Sequence, residues 1–155
     1  MTGFFGCFWE RDAVGYFGQP ELTAQTIRDG WLYTGDGAYL DADGFVHLVD
    51  RIKDMIITGG ENVYSTEVET VLAGHPAVAT CAVIGIPHDS WGEQVHAIVT
   101  LKPGATATTD ELVAHCRTQL SGYKCPHGIE FREVLPVSAA GKILKTALRA
   151  EYAVR

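Results

Sequence analysis

The spacing of apolar positions changes along this chain, and the change predicts two regions of different texture. Residues 20–29 read as a short helix opened by Pro20 and stopped by Gly30. The run from Asp41 to Gly44 is a turn signal between two apolar-rich strands, near 37–40 and 45–49. A further strand is expected over 54–58, and Gly59-Gly60 breaks it in a turn that permits positive φ. The first third is therefore expected to be β-rich.

Beyond it, helical and extended periods alternate. The run Thr66 to Glu69 has the spacing of a capping box, and Val68, Val71 and Leu72 then share one helical face. Val78 to Ile86 is a β-branched run ended by Pro87, and Gln94 to Leu101 alternates through Val95, Ala97, Val99 and Leu101, so the two are expected to pair. Thr108 to Glu111 repeats the capping-box spacing, with Leu112, Cys116 and Leu120 as the inward stripe of a helix ending at Gly122. A strand over Ile129 to Val134 and a terminal amphipathic helix from about Leu144 to Tyr152 complete the pattern. The fold class that follows is α+β, a small, mixed, three-layer-like domain with helices packed on a short sheet.

Composition permits such a fold and narrows the partners. A chain of 155 residues with 46% apolar content can bury a core without disulfides or metal, removing about two-thirds of its unfolded surface from water. A net charge of −7 and a pI near 5.2 argue against nucleic acid and anionic membranes, both of which need clustered Lys and Arg. No segment is long and apolar enough to predict a transmembrane span, and the aromatic start carries no basic leader. Cys7, Cys81, Cys116 and Cys125 lack CxxC spacing and read as reduced thiols, which fits a cytoplasmic protein. The six histidines have no metal-ligand or catalytic spacing and read as structural or solvent-facing. GxSxG, HExxH and glycine-rich phosphate loops are all missing, so neither a hydrolase nor a self-contained nucleotide site is predicted.

Three segments could carry chemistry, each with a plain structural alternative. In the run Tyr33 to Asp36, glycine lets a turn expose a carboxylate toward a vicinal diol, though an ordinary Gly-Asp turn looks the same. Asp50 to Asp54 puts four charges between two apolar strands, as a swinging connector or a charged turn would. Gly141-Lys142 puts an ammonium on a flexible loop of small residues, from which it could neutralise charge developing on phosphate oxygens. Lys145 and Arg149 read as the solvated face of the last helix.

Taken in order, Gly30 to Asp36, Gly44 to Asn62, Glu67 to Glu69, His75-Pro76, Trp91 to Glu93, Tyr123 to Pro126 and Gly141 to Ile143 resemble the motif series of the acyl-CoA synthetases. These belong to the adenylate-forming superfamily, which also holds peptide-synthetase adenylation domains and firefly luciferase. The resemblance runs from about Gly15 to Arg149; residues 1–14 match poorly. It implies a two-step ligase that uses ATP, with Mg2+, to make an acyl-adenylate from a carboxylic acid, taken to be a fatty acid, and then passes the acyl group to CoA. Asp36 and Arg51 would hold the ribose hydroxyls, Lys53 would be the hinge, and Lys142 would bridge the acyl carboxylate and the α-phosphate. Gly59 and Gly60 would face the pantetheine tunnel. Tyr123 matches a stretch that in some relatives contacts the CoA nucleotide, although Cys125 is neutral here and His127 mostly so. Trp91 to Glu93 is expected to serve packing and the turn.

The family's phosphate loop, acid pocket, adenine wall and magnesium ligands would lie upstream of this chain. The resemblance thus divides it into residues 1–50, the β-rich tail of the large N-terminal adenylation domain, and 51–155, the small mobile C-terminal domain. Such a fragment is expected to be inactive until joined to that domain. The alternative is a free-standing, non-catalytic module that binds nucleotide or CoA, or docks on a synthetase. Self-association through residues 1–50 is also expected, since Phe4, Phe5, Phe8 and Trp9 would lack their partner.

Overall fold

The computed structural model describes the backbone of residues 3–8 and all of residues 14–153. The side chains of Phe4, Phe5 and Phe8 and the whole of Trp9, on which the self-association expectation rests, lie outside the described residues. The chain divides into two compact units, Met1–Lys53 and Asp54–Arg155.

The first unit is a four-stranded antiparallel sheet with one short helix. Strand β3 (Trp31–Leu40) is its centre, flanked by β1 (Gly3–Phe8) along one edge and by β2 (Ile27–Arg28) and β4 (Val46–Arg51) along the other. Helix α1 (Pro20–Thr26) has Pro at its start as expected, but it stops before Ile27, which is already extended and begins β2. The Asp41 turn forms as predicted. One carboxylate oxygen of Asp41 accepts from the amides of Asp43 and Phe45 at 3.0 and 2.9 Å, and the other lies 2.6 Å from His47 Nε2. These bonds, that to His47 first, hold the Asp41 carboxyl below its ordinary range. Among the described residues, Ala38 is the one buried apolar side chain of this unit, while Leu40, Phe45 and Leu48 are 67%, 68% and 62% exposed. A sheet with so little core has apolar surface to spare.

The second unit contains the core. Strands β5 (Ile56–Thr58) and β6 (Glu61–Val63) form a hairpin, followed by α2 (Ser65–Ala73), the long hairpin β7 (Val78–His88) and β8 (Gly92–Leu101), α3 (Thr109–Arg117), β9 (Gly128–Phe131) and α4 (Lys145–Tyr152). The sheet order is β6-β5-β8-β7, with β9 added parallel to β8. Alternation sends Cys81, Val83, Val95, Ala97 and Val99 to one face, where Val68 and Leu72 of α2 and Leu112 and Cys116 of α3 cover them. Ala82, Ile84 and Ile98 point the other way, against Leu135, Leu148 and Tyr152. The sheet is thus covered on both faces, giving the three-layer α+β arrangement expected from the sequence, and each fully buried Leu or Ile contributes about 1.5–3 kcal/mol. Among the described residues no helix is long and apolar enough to cross a membrane.

Several local expectations are corrected. The capping box at Thr108 is present, with Glu111 and Thr108 exchanging bonds. The one expected at Thr66 is not: α2 starts at Ser65 with Tyr64 in the cap position, two residues earlier, and Glu69 turns its carboxylate to the amide of Val83, 2.8 Å away. Helix α3 stops at Arg117, so Leu120 reaches the core from a turn. Pro87 does not end β7; it lies opposite Glu93 in the ladder, near the end of the hairpin. Strand β9 stops at Phe131 rather than Val134.

Candidate functional site

Asp36 and Arg51 are brought together by strand register. They are direct partners on β3 and β4, and Arg51 Nε lies 2.9 Å from Asp36 Oδ1. The Asp36 amide is turned by Gly35 at φ +77 and donates to Thr34 Oγ1 at 3.1 Å. Side-chain exposures of 25% for Asp36 and 55% for Arg51 leave a carboxylate and a guanidinium side by side and reachable from water. Such a pair can offer one acceptor and several donors to neighbouring hydroxyls. Lys53 follows in a 3-10 turn, Ile52–Asp54, at the end of the first unit, with its side chain in solvent.

Gly59 and Gly60 form the two-residue turn between β5 and β6, with φ of +58 and +86. Two successive positive φ values make this the turn type that suits a right-twisted hairpin and that glycine adopts without strain. A Cβ at Gly60 would meet nothing within 4 Å, and one at Gly59 only Trp91 Cδ1 at 3.9 Å. The turn therefore presents bare backbone.

The segment Trp91 to Glu93 supports that turn from beneath. The Gly59 amide donates to the Trp91 carbonyl at 3.0 Å, and the Ile57 amide donates to Glu93 Oε2 at 2.8 Å. Trp91 stacks on His88 at 4.2 Å between centroids and meets His127 at 4.7 Å. Two histidines read as structural in the sequence thus brace the tryptophan. Tyr123 sits in a 3-10 turn, Gly122–Lys124, with 41% of its surface exposed. The neighbouring Lys124 is held by both carboxylate oxygens of Glu67 at 2.8 Å, and this hydrogen bonding raises its pKa. Its charge is thereby engaged within the unit.

Lys142 lies on a closed hairpin rather than a flexible loop. Val137 and Ile143 form an antiparallel bridge, the Ser138 amide donates to the Lys142 carbonyl at 2.7 Å, and the Leu144 amide donates to the Pro136 carbonyl at 2.8 Å. Leu135 is buried in the core beneath α4, and Ile143 packs against it, so the base of the hairpin is fixed. The Lys142 side chain is exposed, and its ammonium makes no ion pair among the described residues.

The reading of Lys145 and Arg149 as solvated does not hold. Lys145 Nζ lies 2.7 Å from Glu69 Oε1 and donates to Ser65 Oγ at 2.8 Å; Arg149 Nη1 lies 2.8 Å from Asp54 Oδ1. The signal was present in the spacing. Lys145, Leu148, Arg149 and Tyr152 fall at i, i+3, i+4 and i+7, one stripe of a helix whose two apolar members are buried.

Among the described residues no group of three or more His, Cys, Asp or Glu side chains could hold a metal ion. Cys81, Cys116 and Cys125 are free and buried; burial pushes their thiols up, to about 12 for Cys81 and about 11 for Cys116, which removes them as nucleophiles.

Residues 67–142 match the family model described as the AMP-binding enzyme C-terminal domain. The chain is 51% identical over 138 residues to a feruloyl-CoA synthase of an Amycolatopsis species, covering 89% of this chain and 28% of that protein. It is 50% identical over 137 residues to a long-chain-fatty-acid–CoA ligase of Bacillus subtilis, covering 88% and 24%. The crystal structure of an anthranilate-CoA ligase in complex with anthranoyl-AMP superposes with a TM-score of 0.89 at 37% identity, covering 98% of this chain and 30% of that one. The chain thus spans about a quarter of the length of the curated relatives it matches. By sequence and by fold, this chain carries the AMP-binding enzyme C-terminal domain, and the proteins it resembles are adenylate-forming ligases.

Proposed function

We propose that this chain supplies the mobile C-terminal part of an ATP-dependent carboxylate–CoA ligase. In the first step a carboxylate oxygen attacks the α-phosphorus of ATP, the bond to the β-phosphate bridge breaks, and pyrophosphate leaves. In the second the CoA sulfur attacks the acyl carbon, the bond to AMP breaks, and the thiol proton passes to solvent. Two anions must meet in the first step, so a delivered ammonium relieves both their repulsion and the charge gathering on the phosphate. Lys142 is the residue we assign to this. The observation that carries the assignment is its exposed ammonium, without an ion pair among the described residues, on a hairpin whose base is fixed in the core.

In this reading Asp36 and Arg51 bind the ribose hydroxyls of ATP, and Lys53 is the hinge between the tail of the large domain and the small domain. Rotation there withdraws Lys142 and brings in Gly59-Gly60, whose bare backbone would leave room for the pantetheine arm. Tyr123 contributes at most an aromatic surface to the CoA nucleotide, because Lys124 is already paired with Glu67. Mg2+ would be held by the large domain. The acid is a carboxylic acid whose class the upstream pocket selects. The Bacillus subtilis relative supports a fatty acid, and the feruloyl-CoA synthase supports an aryl acid. A cytoplasmic setting suits all these substrates.

The test is an assay of the chain joined to its adenylation domain, with ATP, CoA and a panel of fatty and aryl acids. Acid-dependent pyrophosphate release followed by thioester formation is expected, and the isolated chain should do neither. A joined protein that releases no pyrophosphate with any acid, together with tight binding of AMP or CoA by the isolated chain in calorimetry, would favour the non-catalytic module.

A further inference from the structure

The hairpin that presents Lys142 runs directly into α4, which carries three ion pairs: Glu151, near its end, meets Arg132 at 2.8 Å and is 49% exposed, while the two nearer the hairpin are more withdrawn from water. Lys145, its first residue, reaches Glu69 at 2.7 Å and Ser65 at 2.8 Å, both on α2. Arg149, one turn on, reaches Asp54 at 2.8 Å. Side-chain exposures are 15% and 21% for the first pair and 26% and 15% for the second, so both are largely withdrawn from water. Glu69 also accepts from the Val83 amide on β7, which fixes its carboxylate. Asp54 is the first residue of the second unit and the neighbour of Lys53, so Arg149 joins α4 to the point where the two units meet in the sequence.

We propose that Arg149 and Lys145 are positioning residues for Lys142: they lock α4 to the hinge side of the unit and to α2, so that rotation carries the Lys142 hairpin as one rigid piece. This rests on the reading of Lys142 as the adenylation cation. The apolar anchors of the hairpin, Leu135 and Ile143, resist separation but are non-directional. Charge-assisted hydrogen bonds at two positions of one stripe of α4, Lys145 and Arg149, add direction. An ammonium that must sit between a carboxylate and a phosphate needs that direction, since a shift of about 1 Å can cost on the order of a hundredfold in rate. The Gly59-Gly60 turn is held separately, by the β5–β6 ladder and by Trp91 and Glu93. Thioester formation should therefore not depend on the α4 ties.

The experiment measures the two half-reactions in the chain joined to its adenylation domain, for Arg149→Met, Asp54→Asn, the double variant, Arg149→Lys and, as reference, Lys142→Ala. Arg149→Met and Asp54→Asn should each lower pyrophosphate release by about tenfold or more, while thioester formation from supplied acyl-adenylate stays within about twofold. The double variant should be no worse than either single one, and Arg149→Lys should recover part of the loss. Equal loss in both half-reactions, additive losses or unchanged adenylation would each overturn the proposal. In the 155-residue chain alone, Lys145→Met should speed amide exchange at Ser138 and Leu144 by about fivefold or more and leave Val99 unchanged. Unmoved hairpin amides would overturn the rigid link itself. If Lys142→Ala adenylates normally while the hairpin amides respond as expected, the role given to Lys142 fails and the mechanical link stands.

Discussion

Glu93 offers a sharp test of how the glycine turn is held. Strand β5 has one registered partner on β8, Thr58 opposite Gly92, so the ladder does not reach the Ile57 amide. The Glu93 carboxylate takes its place at 2.8 Å. Replacing Glu93 by Ala removes one hydrogen bond to a charged acceptor, worth about 1.5–3 kcal/mol. Ile57 is 51% exposed, so water can reach the released amide, which puts the cost at the low end, about 1.5 kcal/mol. That corresponds to about a tenfold rise in local opening, since 1.4 kcal/mol is a factor of ten. Amide exchange followed by NMR should show Ile57 losing about tenfold in protection, with Val83 and Val99 in the core unchanged. Glu93→Gln, which keeps a neutral acceptor, should lose less. If Ile57 exchanges at its original rate in Glu93→Ala, or if every core amide loosens by the same factor, the carboxylate is not what holds the hairpin.

Other outcomes follow from the same geometry. Leu148 is fully buried beneath α4, so Leu148→Ala should cost about 2–5 kcal/mol in urea unfolding, and a loss under about 1 kcal/mol would show that this face is not packed as described. His96 is buried with Nε2 on the Tyr152 hydroxyl and, among the described residues, no partner on Nδ1, and burial holds its pKa below the ordinary imidazole value against the opposing charge of Glu130. Because the fold favours the neutral ring, His96 contributes stability above about pH 6.5, and that contribution is lost as pH falls from there through the lowered folded value. Urea midpoints between about pH 7.5 and pH 5 should fall more steeply for the natural chain than for His96→Asn; equal slopes would remove His96 as the cause. The exposed Leu40, Phe45 and Leu48 should promote self-association through the first unit, so sedimentation at rising concentration is expected to show dimers that Phe45→Ser with Leu48→Ser weakens. A monomer at every concentration would count against it.

Much of the second unit was legible because its periods are clean. The β7 and β8 runs, the Thr108 cap and the α4 stripe each state a local preference that the packing keeps. What escaped was long-range. Glu69 sits at the spacing of a capping residue, yet its carboxylate is drawn off by the Val83 amide and by Lys145, which is 76 positions further along the chain. Local spacing cannot weigh a partner that only the tertiary fold supplies. Lys145 and Arg149 were misread for the same reason. A charge on an apolar stripe is a solvated tip or a buried pair, and the choice depends on carboxylates from α2 and the Ile52–Asp54 turn. Of the candidate site, Asp36 and Arg51 could be paired from the motif order, while the closed form of the Lys142 hairpin depends on Ser138, whose amide and hydroxyl both bond to Lys142.

In the proposed function, Lys142 acts in adenylation and is withdrawn for thioester formation. In the chain joined to its adenylation domain, Lys142→Ala should slow pyrophosphate release by on the order of a hundredfold or more, while acyl transfer from supplied acyl-adenylate to CoA proceeds at close to the original rate. Unchanged adenylation in that variant, or an equal loss in both half-reactions, would contradict it.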